Sequence, residues 1–497
     1  MSVERNLPII RERKSQIAKG DPDRIAEQEK LGKLTARERV AMLLDPQSFV
    51  ELDALSGAKA ASGVITGYGL VNDRPVFVYA QDFINGGGAV GAEHARKVLK
   101  VMDFAAKTGA PVVAMFDSIG ARLLEGVNAV DAYAQMAAKT AALSGVVPQV
   151  ALVLGQCAGA SAMICAMNDI VIQSETGRLF VNGPQVVSAN TDNRVDAKAL
   201  GGAEASMQSG VAQLTAKDDQ AAIALARKAI DLLPSNNLED APVDFASVDD
   251  MNRELPELNA IQNVQDINDV LAKVADAGSL LTLSDCYAPE MVVALATIGG
   301  RTVGFIANAP DQDGGALTVR GCAKAARFAG ICDSFNIPVV SFVDSTGIGV
   351  ASSCAQGKLA RAGAQLMSAL SEATCARIAV VTGKAVGPAY MAMASRPAND
   401  VIYAWPGAMV SPLDVPAAVQ VLMSDKLSNI DDPKQERAKL EQDYQDNQAD
   451  GINAAKLGYV DDVIEPAQTR QMIAAALEML SAKRDARLPK KHGNLPL

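Results

Sequence analysis

Apolar residues along this chain fall into short runs that alternate with amphipathic segments. The runs at residues 64–68 and 75–80 predict two strands joined by a hairpin-type turn at Asn72–Asp73. Residues 93–107 have helical spacing, and the apolar run at 111–116 predicts a further strand. Strands therefore alternate with helices, which predicts an α/β fold with a largely parallel sheet.

One uncharged stretch, residues 143–167, is long enough to span a bilayer. Pro148, Gly155 and Gly159 interrupt it, and they leave a β-rich run at 150–154 followed by a segment of small residues. Parallel strands are apolar on both faces because they are buried on both faces. We therefore interpret the stretch as a buried strand and a packed helix, not as a membrane span.

The same series of residues occurs twice in the chain. Pairs separated by 227 positions include Gly87/Gly314, Lys97/Lys324, Asp117/Asp344 and Gly120/Gly347, and pairs separated by 228 are Gly155/Gly383 and Gly159/Gly387. A repeat of this length is far longer than a solenoid unit, so each copy can bury its own core. We predict two domains, residues 1–235 and 236–497, with a breaker-rich linker at 233–237.

Composition narrows the possible functions. The net charge of −11 over 497 residues argues against a general nucleic-acid binder, because such proteins neutralise phosphates with lysine and arginine. The seven cysteines contain no Cys-x-x-Cys pair, so neither a disulfide framework nor a zinc site is indicated. No secretory signal is visible at the N-terminus. These features predict a cytoplasmic protein without a bound metal.

Two glycine-rich turns, at 155–161 and 383–389, each follow a predicted strand and lead into a helix. Small residues at such a turn let a ligand oxygen approach main-chain N–H groups at the positive end of a helix. Either turn alone is explained equally well by tight packing. Their occurrence at matched positions of the two copies favours oxyanion binding.

Other catalytic arrangements are poorly supported. The only histidines are His94 and His492, and neither has suitably spaced partners for a catalytic triad or a zinc site. The glycines at 347 and 349 begin a dinucleotide-binding pattern, but Ser352 occupies the position of its third glycine. The remaining possibility is chemistry performed by backbone donors on a substrate that brings its own reactive groups.

Longer motifs occur together over almost the whole chain. They lie at residues 32–39, 117–122, 125–127, 158–159, 182–184, 233–237, 324–328, 332–333, 336–338, 404–406 and 490–497. In these motifs the chain resembles the carboxyltransferase subunits of biotin-dependent acyl-CoA carboxylases, of the propionyl-CoA carboxylase beta type, and their decarboxylase relatives.

The resemblance implies two tandem crotonase (ClpP)-like domains of similar fold. It places acyl-CoA mainly on the N-terminal domain and carboxybiotin on the C-terminal domain of a partner chain, in a homo-hexamer built as a trimer of dimers. No Met-Lys-Met biotinylation site is present in the sequence. We therefore expect biotin on a separate carrier protein, with a biotin carboxylase or a membrane decarboxylase subunit as a further partner.

The resemblance also implies the residues of the first site. In the family the thioester oxygen of acyl-CoA meets main-chain donors that match Gly159 and Ala160, which stabilise the enolate formed at the α-carbon. Gly120, Ala121 and Arg122 match a motif that we assign to substrate binding.

The second site departs from the family pattern. The biotin ureido oxygen is expected to meet donors matching Pro388 and Ala389, but Pro388 replaces the usual glycine and has no N–H. Ala389, helped by Gly387, is then left to hold this oxygen. Met391 occupies a position near the acyl or biotin pocket.

We therefore predict carboxyl transfer between carrier-bound biotin and the α-carbon of a short-chain acyl-CoA. Run in reverse, the same site would serve the alpha subunit of a sodium-pumping decarboxylase of the methylmalonyl-CoA or glutaconyl-CoA type. Pro388 favours an alternative from another class, a noncatalytic assembly partner or a CoA-binding crotonase that does not use biotin.

Overall fold

The computed structural model describes residues 3–56, 60–191, 194–244, 249–261, 263–349, 353–422, 433–485, 488–490 and 494. The chain divides into two compact units, Met1–Glu239 and Asp240–Leu497. The boundary between them lies beside the predicted linker at 233–237.

The first unit is built on one sheet with the strand order β1-β2-β3-β4-β5-β6-β8. Its strands are β1 (Val50–Leu52), β2 (Val64–Val71), β3 (Arg74–Gln81), β4 (Val112–Ser118), β5 (Gln149–Ala158), β6 (Ile170–Ser174), β7 (Arg178–Phe180) and β8 (Leu214–Ala216). Strands β1 to β3 are antiparallel, β3 to β8 are parallel along the sheet, and β7 pairs with the end of β5.

The helices of this unit are α1 (Val3–Lys19), α2 (Pro22–Lys30), α3 (Ala36–Leu43), α4 (Ala92–Thr108), α5 (Val127–Leu143), α6 (Ala160–Ala166), α7 (Pro184–Thr191), α8 (Ala197–Gly201), α9 (Ala203–Ser209) and α10 (Asp219–Asp231). Helix α4 places Val98, Val101 and Met102 in a core shared with β4 and β5. This packing holds the carboxyl ends of the two strands in fixed positions.

The second unit has the same order of elements, with strands arranged as β16-β14-β13-β12-β11-β10-β9. Its strands are β9 (Leu281–Leu283), β10 (Met291–Ile298), β11 (Arg301–Asn308), β12 (Val339–Ser345), β13 (Arg377–Val386), β14 (Val401–Ala404), β15 (Met409–Ser411) and β16 (Asp462–Val463). Its described helices are α11 (Ile267–Val274), α12 (Val319–Ser334), α13 (Ser353–Glu372), α14 (Val415–Leu422), α15 (Pro433–Tyr444), α16 (Gly451–Lys456) and α17 (Thr469–Met479), with π-helical turns at Tyr390–Ala394 and Gln445–Ala449.

The structure confirms the elements predicted from the apolar pattern. Asn72 and Asp73 turn the β2–β3 hairpin with positive φ angles of 49° and 63°, which fits the type I′ turn that matches strand twist. The uncharged stretch 143–167 contains β5 and α6. None of the described helices is long and apolar enough to cross a bilayer.

Candidate active site

A buried carboxylate shapes the end of β5 in the first unit. Strands β4 and β5 pair in register up to Phe116 and then shift, so that Ser118 pairs with Cys157. Asp117 fills the resulting bulge: a Cβ atom on Gly155 would lie 1.9 Å from Asp117 Oδ1. Only glycine fits there. The bulge redirects β5 toward its pairing with β7 and so positions the turn at Gly159.

Two basic side chains from the N-terminal segment neutralise this carboxylate. Lys33 Nζ lies 2.7 Å and Arg39 Nη1 2.8 Å from Asp117 Oδ2, and Arg39 Nε lies 2.8 Å from Asp219 Oδ2. Burial lowers the pKa of Lys33, and the charge of Asp117 opposes that shift. The four side chains form a buried network that fastens α3 to the end of β4.

In the turn after β5, the two predicted backbone donors behave differently. Gly159 has a φ of +66° and donates its N–H to the Phe180 carbonyl at 3.1 Å. Ala160 begins α6, and its N–H has no acceptor in the described part of the chain. The two predicted donors therefore differ in this structure: Gly159 shapes the turn, whereas Ala160 presents a free N–H.

Ser161, the residue after Ala160, connects the turn to helix α5 through a side-chain hydrogen bond. The Ser161 hydroxyl donates to the Tyr133 hydroxyl at 3.2 Å. Burial raises the pKa of Tyr133 to about 12, so this group stays a neutral phenol at ordinary pH. No local pattern in the sequence predicts this pair, because its members lie 28 positions apart.

The predicted substrate-binding residues of the first unit follow β4 directly. Gly120, with a φ of +113°, donates its N–H to Ser118 Oγ and accepts from Val90 N–H at 2.9 Å. Ala121 is bridged to Val90, and Arg122 Nη1 lies 3.3 Å from Glu125 Oε1. Ser118 pairs with Cys157 on β5. This loop and the Gly159 turn thus both follow the carboxyl ends of the neighbouring parallel strands β4 and β5.

His94 lies on α4 and is fully buried. Burial lowers the pKa of its imidazole to about 3, and the nearby charges of Arg122 and Lys97 act in the same direction. The folded protein therefore keeps His94 neutral, while the unfolded chain binds a proton near the ordinary value of 6.5. Stability from this group is complete above pH 6.5 and is lost as the pH falls toward 3.

We expect the free energy of unfolding to fall by about 2 kcal/mol between pH 7 and pH 5 because of His94. Urea denaturation at both pH values should show this loss in the wild type and its absence in His94→Gln. His492→Gln removes the other histidine and should keep the full loss. Equal pH dependence in the wild type and His94→Gln would contradict the prediction.

The second unit repeats the turn with one change. Gly387 has a φ of +48° and donates its N–H to the Ser411 carbonyl at 2.8 Å, as Gly159 does to Phe180. Pro388 occupies the position of Ala160 and has no N–H. The N–H of Ala389, a fully buried residue, has no acceptor in the described residues.

A cavity of ≈ 500 Å³ opens beside this turn. Three predicted residues line it, namely Gly387, Pro388 and Met391, together with Tyr390, Val410, Ser411, Pro412, Gln448, Asn453, Ala454, Leu457 and Tyr459. Its wall is largely apolar, and the Met391 side chain, 55% exposed, stands at its edge. Sequence reasoning missed the wall from Gln448 to Tyr459, which lies about 60 residues beyond the turn along the chain.

The carboxyl transferase domain family matches residues 27–495. The chain belongs to this family. The methylmalonyl-CoA carboxyltransferase 12S subunit of Propionibacterium freudenreichii subsp. shermanii is 40% identical over 495 residues, which cover 96% of this chain and 94% of the relative. The methylmalonyl-CoA decarboxylase subunit alpha of Propionigenium modestum is 38% identical over 518 residues, with 100% of both chains covered.

The solved structure of transcarboxylase 12S with methylmalonyl-coenzyme A and methylmalonic acid bound matches with a TM-score of 0.96 at 38% identity, and it covers 100% of this chain and 99% of that one. The predicted fold of two tandem crotonase-like domains is therefore confirmed. The predicted enzyme class, a biotin-dependent acyl-CoA carboxyltransferase, is also confirmed. The roles of the individual site residues stay predictions.

Proposed function

We propose that this chain moves a carboxyl group between carrier-bound biotin and the α-carbon of propionyl-CoA, with methylmalonyl-CoA as the carboxylated form. The observation that carries the chemistry is the open N–H of Ala160 at the start of a helix, behind a left-handed glycine. The names of the relatives support the substrate, because methylmalonyl-CoA and propionyl-CoA differ by one carboxyl group on the α-carbon.

In the first unit, the thioester oxygen of acyl-CoA would accept from Ala160 N–H. Loss of the α-proton, or of the α-carboxyl group in the reverse direction, leaves negative charge on that oxygen. A fixed donor at the positive end of α6 stabilises this charge without reorganisation. The loop after β4 lies at the same end of the parallel strands. Its residues Gly120, Ala121 and Arg122 would hold the rest of the substrate.

In the second unit, the cavity beside Gly387 would admit the biotin ring system. Its apolar wall suits the hydrocarbon part of the ring. Ala389 is fully buried and is not among the residues that line the cavity, so its N–H would reach the ureido oxygen only after the turn opens. Met391 at the cavity edge would limit the size of the group admitted. The acyl-CoA site thus belongs to residues 1–235 and the biotin site to residues 236–497.

We further propose the assembly in which the chain works. Biotin would arrive on a separate carrier protein, and a biotin carboxylase or a membrane decarboxylase subunit would load or unload it. The transcarboxylase 12S relative forms a hexamer assembly, which supports a homo-hexamer, a trimer of dimers, for this chain. The net charge of −11 argues against nucleic-acid partners. The cysteines, which contain no Cys-x-x-Cys pair, support a cytoplasmic location.

The direct test is a panel of acetyl-, propionyl-, methylmalonyl-, malonyl- and glutaconyl-CoA with carrier-bound biotin, followed in both directions with labelled carboxyl groups. We expect label to pass from carboxylated carrier to propionyl-CoA, and from methylmalonyl-CoA to free carrier. Transfer to none of these esters would contradict the proposal and would favour a noncatalytic chain or a crotonase that does not use biotin.

A decarboxylase is the second candidate, favoured by the full-length similarity to the methylmalonyl-CoA decarboxylase subunit alpha of P. modestum. The site is the same in both cases. The direction of carboxyl transfer therefore depends on whether a biotin carboxylase loads the carrier or a membrane decarboxylase subunit unloads it. Carboxylated carrier that accumulates from methylmalonyl-CoA, and that only a membrane fraction discharges, would identify the decarboxylase.

Pro388 provides a separate prediction. Replacing Pro388 with Ala reproduces the first unit's Ala160 and restores a backbone donor at the cavity. We expect Pro388→Ala to transfer carboxyl groups from carrier-bound biotin at the wild-type rate or faster, measured as kcat with propionyl-CoA. Removing one oxyanion donor typically changes kcat by about 10²–10³. A decrease in kcat of more than about tenfold in Pro388→Ala would show that the proline is required in this site.

A further inference from the structure

A second cavity in the C-terminal unit lies beside the partly buried carboxylate of Asp344. Its volume is ≈ 670 Å³, and its walls include Asp311, Asp344, Lys384, Asp414 and Glu441. It shares no described lining residue with the cavity beside Gly387. The proposed carboxyl transfer does not use it.

The internal repeat shows what occupies the equivalent space in the first unit. Helices α3 and α11 both have eight residues and start 231 positions apart, and each has a side-chain N-cap, Thr35 or Asp266. Strands β1 and β9, also 231 apart, pair with equivalent residues: Val50 with Tyr68, and Leu281 with Leu295. The two segments are therefore structural counterparts.

This correspondence places Val264 at the position of Lys33 and Val270 at the position of Arg39. In the first unit those two basic side chains hold the carboxylate of Asp117 at 2.7 and 2.8 Å. In the second unit the carboxylate is kept as Asp344, but both basic partners have become valine, and Val264 lines the cavity.

Among the described residues, the remaining contacts of Asp344 do not replace those charges. Lys384 N–H donates to Asp344 Oδ1 at 2.9 Å, while Lys384 Nζ lies 3.2 Å from Asp414 Oδ1. Glu441 lies 2.8 Å from Arg437 Nε. The described walls thus carry four carboxylates and one ammonium group. Burial raises the pKa of Asp344, and the backbone N–H and the charge of Lys384 oppose that shift.

We propose that this cavity binds a guanidinium or primary ammonium group, with Asp344 as the acceptor. The ligand takes the place that Lys33 and Arg39 fill in the first unit. A metal ion does not suit the site, because the described residues contain no group of three or more His, Cys, Asp or Glu side chains placed to hold one. A planar guanidinium group matches a carboxylate through two parallel hydrogen bonds. Its source is either a small organic cation or a basic side chain of another polypeptide.

The test is calorimetric titration of the full-length chain with butylguanidinium and with butylurea, its uncharged analogue of the same shape. We expect butylguanidinium to bind at least tenfold more tightly than butylurea. Asp344→Asn keeps an oxygen for Lys384 N–H and should weaken butylguanidinium binding at least tenfold. Val264→Lys supplies an internal ammonium group, as Lys33 does in the first unit, and should block binding to the same extent. Asp103→Asn, an equal change of charge in the first unit, should have no effect.

A blocked Gly-Arg-Gly tripeptide distinguishes the two sources. Binding of the tripeptide as tight as that of butylguanidinium indicates a basic side chain, whereas its exclusion indicates a small cation. The proposal is overturned if butylguanidinium binds no better than butylurea, or if both Asp344→Asn and Val264→Lys leave its affinity unchanged. The circular dichroism spectrum and the oligomeric state of each variant, compared with those of the wild type, check that it is folded.

Discussion

Ala160→Pro should lower kcat for carboxyl transfer by about 10²–10³, the usual effect of losing one oxyanion donor. The reason is that proline removes the N–H of Ala160, which has no acceptor in the described chain. The fold should tolerate the change for two reasons. Proline is favoured at the first position of a helix, and this chain already carries Pro388 after a left-handed glycine at the matching position of its second unit.

Ala160→Gly is the matched control, since it changes the same side chain and keeps the N–H. It should retain kcat within a few-fold, and both variants should show the wild-type circular dichroism spectrum and oligomeric state. The KM for acyl-CoA should change less than kcat in Ala160→Pro, because the charge on the oxygen develops mainly in the transition state. Wild-type turnover in Ala160→Pro would refute the assignment of this donor.

The sequence alone predicts much of the fold because its pattern is local and occurs twice. The hairpin at Asn72–Asp73 combines two apolar runs with residues that accept positive φ. The stretch 143–167 is divided by glycines whose role is steric: Gly155 faces Asp117, and its counterpart Gly383 faces Asp344, with an added Cβ 2.3 Å from the carboxylate. Such steric constraints act between neighbouring strands, and the glycine that each requires occurs in both copies of the repeat.

The details of the site could not be predicted in the same way, because they depend on contacts between distant residues. Whether Gly159 N–H is free depends on β7, a three-residue strand whose last carbonyl, that of Phe180, accepts it. The cavity beside Gly387 needs a wall from residues 448–459. The partners of Asp117 come from 78 and 84 positions away. No local pattern in the sequence connects these groups.

Arg39→Leu should lower the free energy of unfolding by about 3–5 kcal/mol, the usual cost of breaking a buried ion pair from one side. The Arg39 side chain is 1% exposed and contacts Asp117, Asp219 and the Leu154 carbonyl at 2.8 Å each. Leucine satisfies none of these oxygens, so two carboxylates stay buried with Lys33 as their nearest described cation. Urea denaturation followed by circular dichroism measures the loss.

Arg37→Leu is the matched control on the same helix. Arg37 contacts Glu51 through two hydrogen bonds of 3.0 Å, but both side chains reach solvent, at 28% and 18% exposure. A partly exposed pair contributes about 0–1 kcal/mol. Arg39→Leu should also reduce carboxyl transfer in the fraction that remains folded, because Asp117 shapes the bulge that leads β5 to Ala160. Equal destabilisation by the two variants would show that Arg39 acts as an ordinary surface charge, and that the N-terminal segment does not hold the active-site strand in place.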